Sequence, residues 1–213
     1  MKRDVFLTLV AQLKSSGAGL WRHSLNTANL TRALLKLFPP GTLDVCEEDL
    51  FLAALLHDVG KTQLDPALLE KPGPLTPQEW MVIRQHPSLS VALIRQLDPE
   101  IPARITALIL YHHEHWDGKG YFGLAGTAIP AGARLLAIAD ALEAMLSNRP
   151  YRPSLTWAEA ILEIEKNAGT QFDAYLVGKI VRDCQMIEKD YLTENETASL
   201  TVPSLFAGSK PAQ

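Results

Sequence analysis

The chain has 213 residues, 47% apolar and 21% charged, and its 20 basic against 24 acidic side chains give a formal charge of −4. That is globular composition with enough chain to bury one core, which excludes a mainly disordered polymer. The acidic balance excludes a general binder of nucleic-acid polymers or of anionic membranes.

Apolar residues recur at helical intervals almost throughout. The spacing predicts helices near 3–15, 20–37, 47–58, 76–96, 101–115, 130–147, 155–167 and 172–189, with no convincing alternating strand. The first, in MKRDVFLTLVAQLK, has charges on both sides of a short apolar run and reads as a helix rather than a signal peptide. Glu47 and Glu48 suit the positive end of the third. The longest apolar run, Leu50 to Leu56, falls far short of the roughly 20 residues that span a bilayer. Thr76 and Glu79 form a capping-box signature with Pro77 at the first helical position. Pro39-Pro40-Gly41, Lys71 to Pro74 and the glycine-rich stretch from Asp117 to Pro130 read as loops. Beyond about Thr193 the periodicity fades into an expected loosely held tail. Cys46 and Cys184 are too few for a disulfide framework and read as buried free thiols of a reducing cytoplasm.

The chemistry gathers on histidines. His57-Asp58 closes the most apolar helix, FLAALLHD, with Gly60 as its expected stop and Lys61 next. His112-His113-Glu114 repeats that pattern at the end of ITALILYHHE, and Asp140 sits inside the apolar LLAIADALEAML. A buried carboxylate is costly without a cation or donors. His23 and His86 come from two further helices. Taken singly, each histidine is more often a core or surface residue than a ligand. Together, five histidines and two aspartates from five helices suit a paired-metal site in which one carboxylate bridges. His115 reads as solvated beyond a helix end, and Glu114 as either a partner of a ligand or a surface charge.

The order His, His-Asp, His, His-His, Asp resembles the HD superfamily of metal-dependent phosphohydrolases. Within it, HDVGK (57–61), LDPALLEKPGPLTPQEW (64–80), His86, HHEHWDGKGY (112–121), ARLLAIAD (133–140) and NRPYR (148–152) resemble the HD-GYP cyclic di-GMP phosphodiesterases. The resemblance covers about residues 20–185 and implies an all-α, single-domain HD bundle. It implies an N-terminal helix over 1–19, a catalytic domain over 20–190 and a tail over 191–213. His23, His57, Asp58 and Asp140 would hold one metal; Asp58, His86, His112 and His113 the other. Asp58 and Lys61 would carry catalysis, and Lys61, Arg149 and Arg152 would contact substrate phosphate. The cofactors would be two divalent ions, iron or manganese ahead of zinc or nickel, since the set is rich in imidazole and lacks thiolate.

The implied reaction is hydrolysis of cyclic di-GMP to pGpG, GMP or both in the cytoplasm, with a homodimer or protein partner allowed. The rival expectations are another HD hydrolase, acting for example on cyclic GMP-AMP, and a sensor that binds the dinucleotide without cutting it. Two positions depart from the family: Phe122 stands where the Gly-Tyr-Pro motif has proline, and Gly19, four before His23, stands where some members carry a glutamate for a third ion.

Overall fold

The computed structural model describes residues 1–147 and 153–197, with side chains to residue 191. Arg149, Arg152 and residues 198–213 of the expected tail lie outside the described residues. The helices are α1 (Arg3–Ser15), α2 (Ala18–Leu35), α3 (Glu47–Leu56), α4 (Pro66–Leu69), α5 (Pro77–Ile83), α6 (His86–Leu97), α7 (Ala103–Leu110), α8 (Ala131–Leu146), α9 (Trp157–Lys166), α10 (Ala174–Arg182) and α11 (Cys184–Thr197). Short 3-10 turns cover Val59–Gln63 and Gly126–Ala128. No strand occurs among the described residues, so the expected all-α class holds.

The centre of the bundle is α3. Every residue from Asp49 to Leu56 is buried, which is why its sequence is apolar on all sides rather than striped. α2 packs along it and against α8, and α7 closes another side. Full burial of each of Leu50, Leu55 and Leu56 contributes about 1.5–3 kcal/mol. Asp49 tolerates its burial through an ion pair with Arg104. α1 adds Phe6, Leu9, Val10 and Leu13 to the same core. The stretch 61–85 holds no buried residue and lies on the surface.

Two long predicted helices are divided. The 76–96 segment breaks at Arg84-Gln85 because Pro87 has no N–H and its ring would strike the Ile83 carbonyl four residues earlier. The 172–189 segment divides at Asp183. The 101–115 helix ends at Leu110, where the chain turns through His112 and His113. The capping box of α5 forms as read, with Thr76 and Glu79 bonded reciprocally, and Thr156 with Glu159 forms a second one on α9.

The cysteines depart from expectation. Both are free, but Cys46 is exposed at the N-cap of α3 and Cys184 is half-buried at the start of α11. Cys46 borders a cleft of about 1050 Å³ with Pro39, Arg104 and Pro130, and that cleft includes none of the clustered histidines.

Candidate metal centre

Three histidines are aimed by one recurring device. His57, His86 and His112 each lie within three residues after a helix end, where carbonyls lack intrahelical partners. Each uses Nδ1 against the carbonyl three residues earlier: Ala54 O at 2.6 Å, Ile83 O at 2.7 Å and Ile109 O at 2.6 Å. A carbonyl can only accept, so Nδ1 carries a proton in each, and it is Nε2 that is turned toward the cluster. The Ile83 carbonyl that Pro87 cannot bond is the one that orients His86. His23 is fixed differently, with Nδ1 against the Glu143 carboxylate.

All seven residues singled out in the sequence converge. Asp58 is fully buried and turns its two oxygens to different neighbours. Oδ2 lies 3.4 Å from both His23 Nε2 and His57 Nε2, whereas Oδ1 lies 3.2 Å from His86 Nε2. Asp140 Oδ1 stands 3.0 Å from His23 Nε2 and 3.7 Å from His57 Nε2. His86 Nε2 and His112 Nε2 are 3.4 Å apart, and the His112 and His113 rings 4.0 Å. Three sets offer ligand atoms within 4.8 Å of one another: His86, His112 and His113; His23, His57 and Asp58; His57, His112 and Asp140. The His23 and Asp140 side chains keep 16% and 17% exposure, which marks the open side.

These residues fit divalent ions. His57 Nε2 and Asp58 Oδ1 are buried yet complete no hydrogen bond, a costly state for polar atoms unless a ligand meets them. Nitrogen and oxygen donors without thiolate, with the imidazoles of His23, His57, His86 and His112 each backed by an outer acceptor, are the pattern of a transition-metal site.

The two halves differ electrostatically. Burial lowers His86 to about 3 and His113 to about 4, and holds His112 well below its ordinary value, so all three are neutral imidazoles at pH 7. Burial also works against protonation of His23 and His57, but the carboxylates prevail. Hydrogen bonds with Asp140, Asp58 and Glu143 hold His23 well above the usual range, and Asp58 and Asp140 raise His57 to about 9. Asp58 and Asp140 are correspondingly held well below the usual carboxylate range, against the upward pull of burial.

Lys61 places its ammonium 2.6 Å from Asp58 Oδ2, on the point the ligands share. Gly60 is required for contact rather than as a helix stop: its φ is not positive, and a Cβ there would strike His86 O and come within 2.5 Å of Ser90 N. Ser90 Oγ in turn ties the Gly60 N–H to the His57 carbonyl. Gly19 has no side chain to offer an ion, although the space beside it is open.

Sequence reasoning missed Glu143. It is buried, its carboxylate accepts from His23 Nδ1, Asn26 Nδ2 at 3.2 Å and Ser147 Oγ at 2.6 Å, and these donors hold its carboxyl low against the effect of burial. The available signal was position: three residues after Asp140, it shares that face of α8. Glu114, left open above, is buried and anchors the 117–125 loop through the N–H groups of Phe122 at 2.5 Å and Leu124 at 2.7 Å. A proline at 122 has no N–H to give, so this chain's departure from the family motif adds a hydrogen bond. His115 is half-buried rather than solvated, and stands outside the cluster.

A helical bundle that gathers five histidines and a second aspartate around one buried carboxylate is the architecture of a domain able to hold metal ions. The family model described as HD domain matches residues 13–176, and the chain belongs to that family. Among its relatives is a cyclic di-GMP phosphodiesterase of Thermotoga maritima, 35% identical over 157 residues, covering 70% of this chain and 43% of the relative. Another is 3'3'-cGAMP-specific phosphodiesterase 2 of Vibrio cholerae, 34% identical over 126 residues, covering 59% of this chain and 24% of the relative. The chain therefore spans less than half the length of these curated relatives. The solved structure of Bd1817, described as an HDG"Y"P protein from Bdellovibrio bacteriovorus, superposes with a TM-score of 0.60 at 19% identity, covering 78% of this chain and 52% of that one, and shares the fold. Among the described residues no helix is long and apolar enough to cross a membrane.

Proposed function

We propose that this chain is a phosphodiesterase that hydrolyses cyclic di-GMP at a binuclear metal centre. One observation carries the reading: the buried Asp58 carboxylate turns one oxygen to His23 and His57 and the other to His86, as a bridging ligand must. His23, His57 and Asp140 complete one side, and His86, His112 and His113 the other. Ions held there would act as Lewis acids on the phosphodiester and lower the pKa of the attacking water. Iron or manganese suits this donor set first.

The chain's own residues supply the rest. Lys61 directs a cation at the shared point, where it can pair with a phosphoryl oxygen and stabilise charge gained during in-line displacement of the 3′ oxygen. Arg149 and Arg152 complete the phosphate contacts in this reading. Glu143 fixes the tautomer and angle of His23, and the three helix-end carbonyls do so for His57, His86 and His112. The catalytic unit is residues 20–190, acting in the cytoplasm, with 1–19 as a packed N-terminal helix; the tail expected from 191 begins later, because α11 continues to Thr197 and Tyr191 is buried. The relatives' names, and the motifs quoted above, support the substrate class. A second reading, cyclic GMP-AMP as substrate, has support in the Vibrio relative's name.

The test is incubation of the purified manganese- or iron-loaded protein with each dinucleotide, with products read by chromatography. Cyclic di-GMP converted to pGpG or GMP, with loss of turnover on chelation, is the expected result. Conversion of cyclic GMP-AMP alone would transfer the assignment to the second reading. Tight binding without cleavage would make the domain a sensor and overturn the proposal.

A further inference from the structure

Beside the His86, His112 and His113 half, the rim carries a side chain that neither the ligand set nor the phosphate contacts use. Arg84 is exposed, at the C-cap of α5, two residues before His86. Its guanidinium carbon lies 4.5 Å from the centre of the Tyr121 ring, and Nη2 donates to Gly120 O at 3.2 Å. The Tyr121 ring in turn lies 4.7 Å from that of His113, tilted by 35°. A column of flat groups therefore runs outward from a ligand imidazole: His113, Tyr121, Arg84. The column is well founded. Glu114 holds the loop through Phe122 and Leu124, and a Cβ at Gly120 would collide with the backbone of Glu114 and lie 2.6 Å from His115 N. Arg84 forms no ion pair with a carboxylate among the described residues, and a single hydrogen bond to Gly120 O leaves most of its donors for a ligand.

We propose that Arg84 reads the guanine base of the substrate and sets a preference for guanine over adenine. The proposal rests on the phosphodiesterase reading above. With the scissile phosphate against Lys61 and the ligand cluster, the attached base lies a sugar's width away, which is the relation of Arg84 to His113 across Tyr121. A guanidinium presents a flat face for base stacking and paired N–H donors at its edge. Guanine offers two adjacent acceptors, O6 and N7, that fit such a pair. Adenine replaces O6 with an amino donor, so one N–H would face another. Lys61 already meets the ligand cluster, whereas the Tyr121 ring stands between Arg84 and His113, which favours a base over a phosphate as the partner of Arg84.

The test uses the manganese-loaded full chain, with hydrolysis of bis(p-nitrophenyl) phosphate as the reporter and cyclic di-GMP and cyclic di-AMP as competing inhibitors. The quantity read is the ratio of the two inhibition constants. The parent should favour cyclic di-GMP by about tenfold or more, the worth of a bidentate base contact. Arg84→Ala should bring the ratio close to one by weakening cyclic di-GMP, and Arg84→Lys, which keeps charge but loses the fork, should do nearly the same. Equal weakening of both inhibitors would make Arg84 a phosphate or loop-holding residue and overturn the proposal, as would an unchanged ratio. Reporter turnover that neither dinucleotide inhibits in the parent would instead overturn the cyclic-dinucleotide reading itself. Metal content measured on each variant separates loss of base recognition from displacement of His113.

Discussion

Replacing Glu143 with alanine removes the acceptor behind His23 without touching any expected ligand. Three donors lose their partner: His23 Nδ1, Asn26 Nδ2 and Ser147 Oγ. Asn26 and Ser147 are half-buried, so water can reach them. His23 is held among Asp58, Asp140 and His57, and a buried donor left unpaired costs about 1–3 kcal/mol. The metal-free chain should lose stability of that order. Loss of an outer acceptor to a ligating histidine typically weakens metal binding by about 10–100-fold, equivalent to about 1.4–2.7 kcal/mol. Only the half built on His23, His57 and Asp140 should weaken, because His86 and His112 are aimed by carbonyls that Glu143 does not contact. Glu143→Gln keeps an acceptor oxygen and should fall between parent and alanine. Equilibrium dialysis against free manganese, with urea unfolding of the metal-free proteins, measures both quantities. A Glu143→Ala protein with the parent's binding isotherm and urea midpoint would refute the orienting role.

Lys61→Ala should retain metal content but lower kcat/KM for cyclic di-GMP by about 1.5–3 kcal/mol, the worth of one charge-assisted phosphate contact; metal loss, or an unchanged rate, would contradict it. Gly120→Ala should cost about 1–3 kcal/mol through forced displacement of backbone, read as a lowered Tm with loosened metal binding at His113; a Tm equal to the parent's would show that the loop yields freely. The metal-free chain should be most stable near pH 6.5, the value at which histidine titrates when unfolded. As pH falls from there towards about 3–4, the unfolded chain takes up protons that native His86, His112 and His113 refuse, so stability declines. As pH rises through about 9, the native state loses the proton that His57 holds more firmly than the unfolded chain, and stability declines again; His23, also raised, acts in the same direction. Urea midpoints that climb steadily from pH 6.5 to 9.5 would contradict that account.

The cluster of histidines and aspartates was legible because metal chemistry restricts residue type as well as place. A His-Asp pair ending an all-apolar helix, and an aspartate inside another, are expensive in a core and so advertise a cation. The helix content was legible for the same reason, since α3 and α8 are too apolar to be anything but buried. What stayed hidden depends on contact across the fold. Glu143 resembles any helix carboxylate until α2 brings His23 against it. Glu114 could not be assigned before the 117–125 loop folded back to give it two N–H groups. Gly60 looked like a helix stop, yet the constraint is the backbone of α6 pressed against it. Pro87 was present in the sequence, and its effect at Ile83 follows from local sterics that periodicity alone overlooks. Arg84 carries no local signal at all, because its place is set by Tyr121 from a distant loop.

The most direct test of the central claim is anomalous scattering from crystals of the manganese-loaded chain. The account predicts two ions, one beside His23, His57 and Asp140 and the other beside His86, His112 and His113, with one Asp58 oxygen on each and none beside Gly19; Asp58→Ala crystals should show neither at full occupancy. A single ion, or two ions that do not share Asp58, would contradict the account.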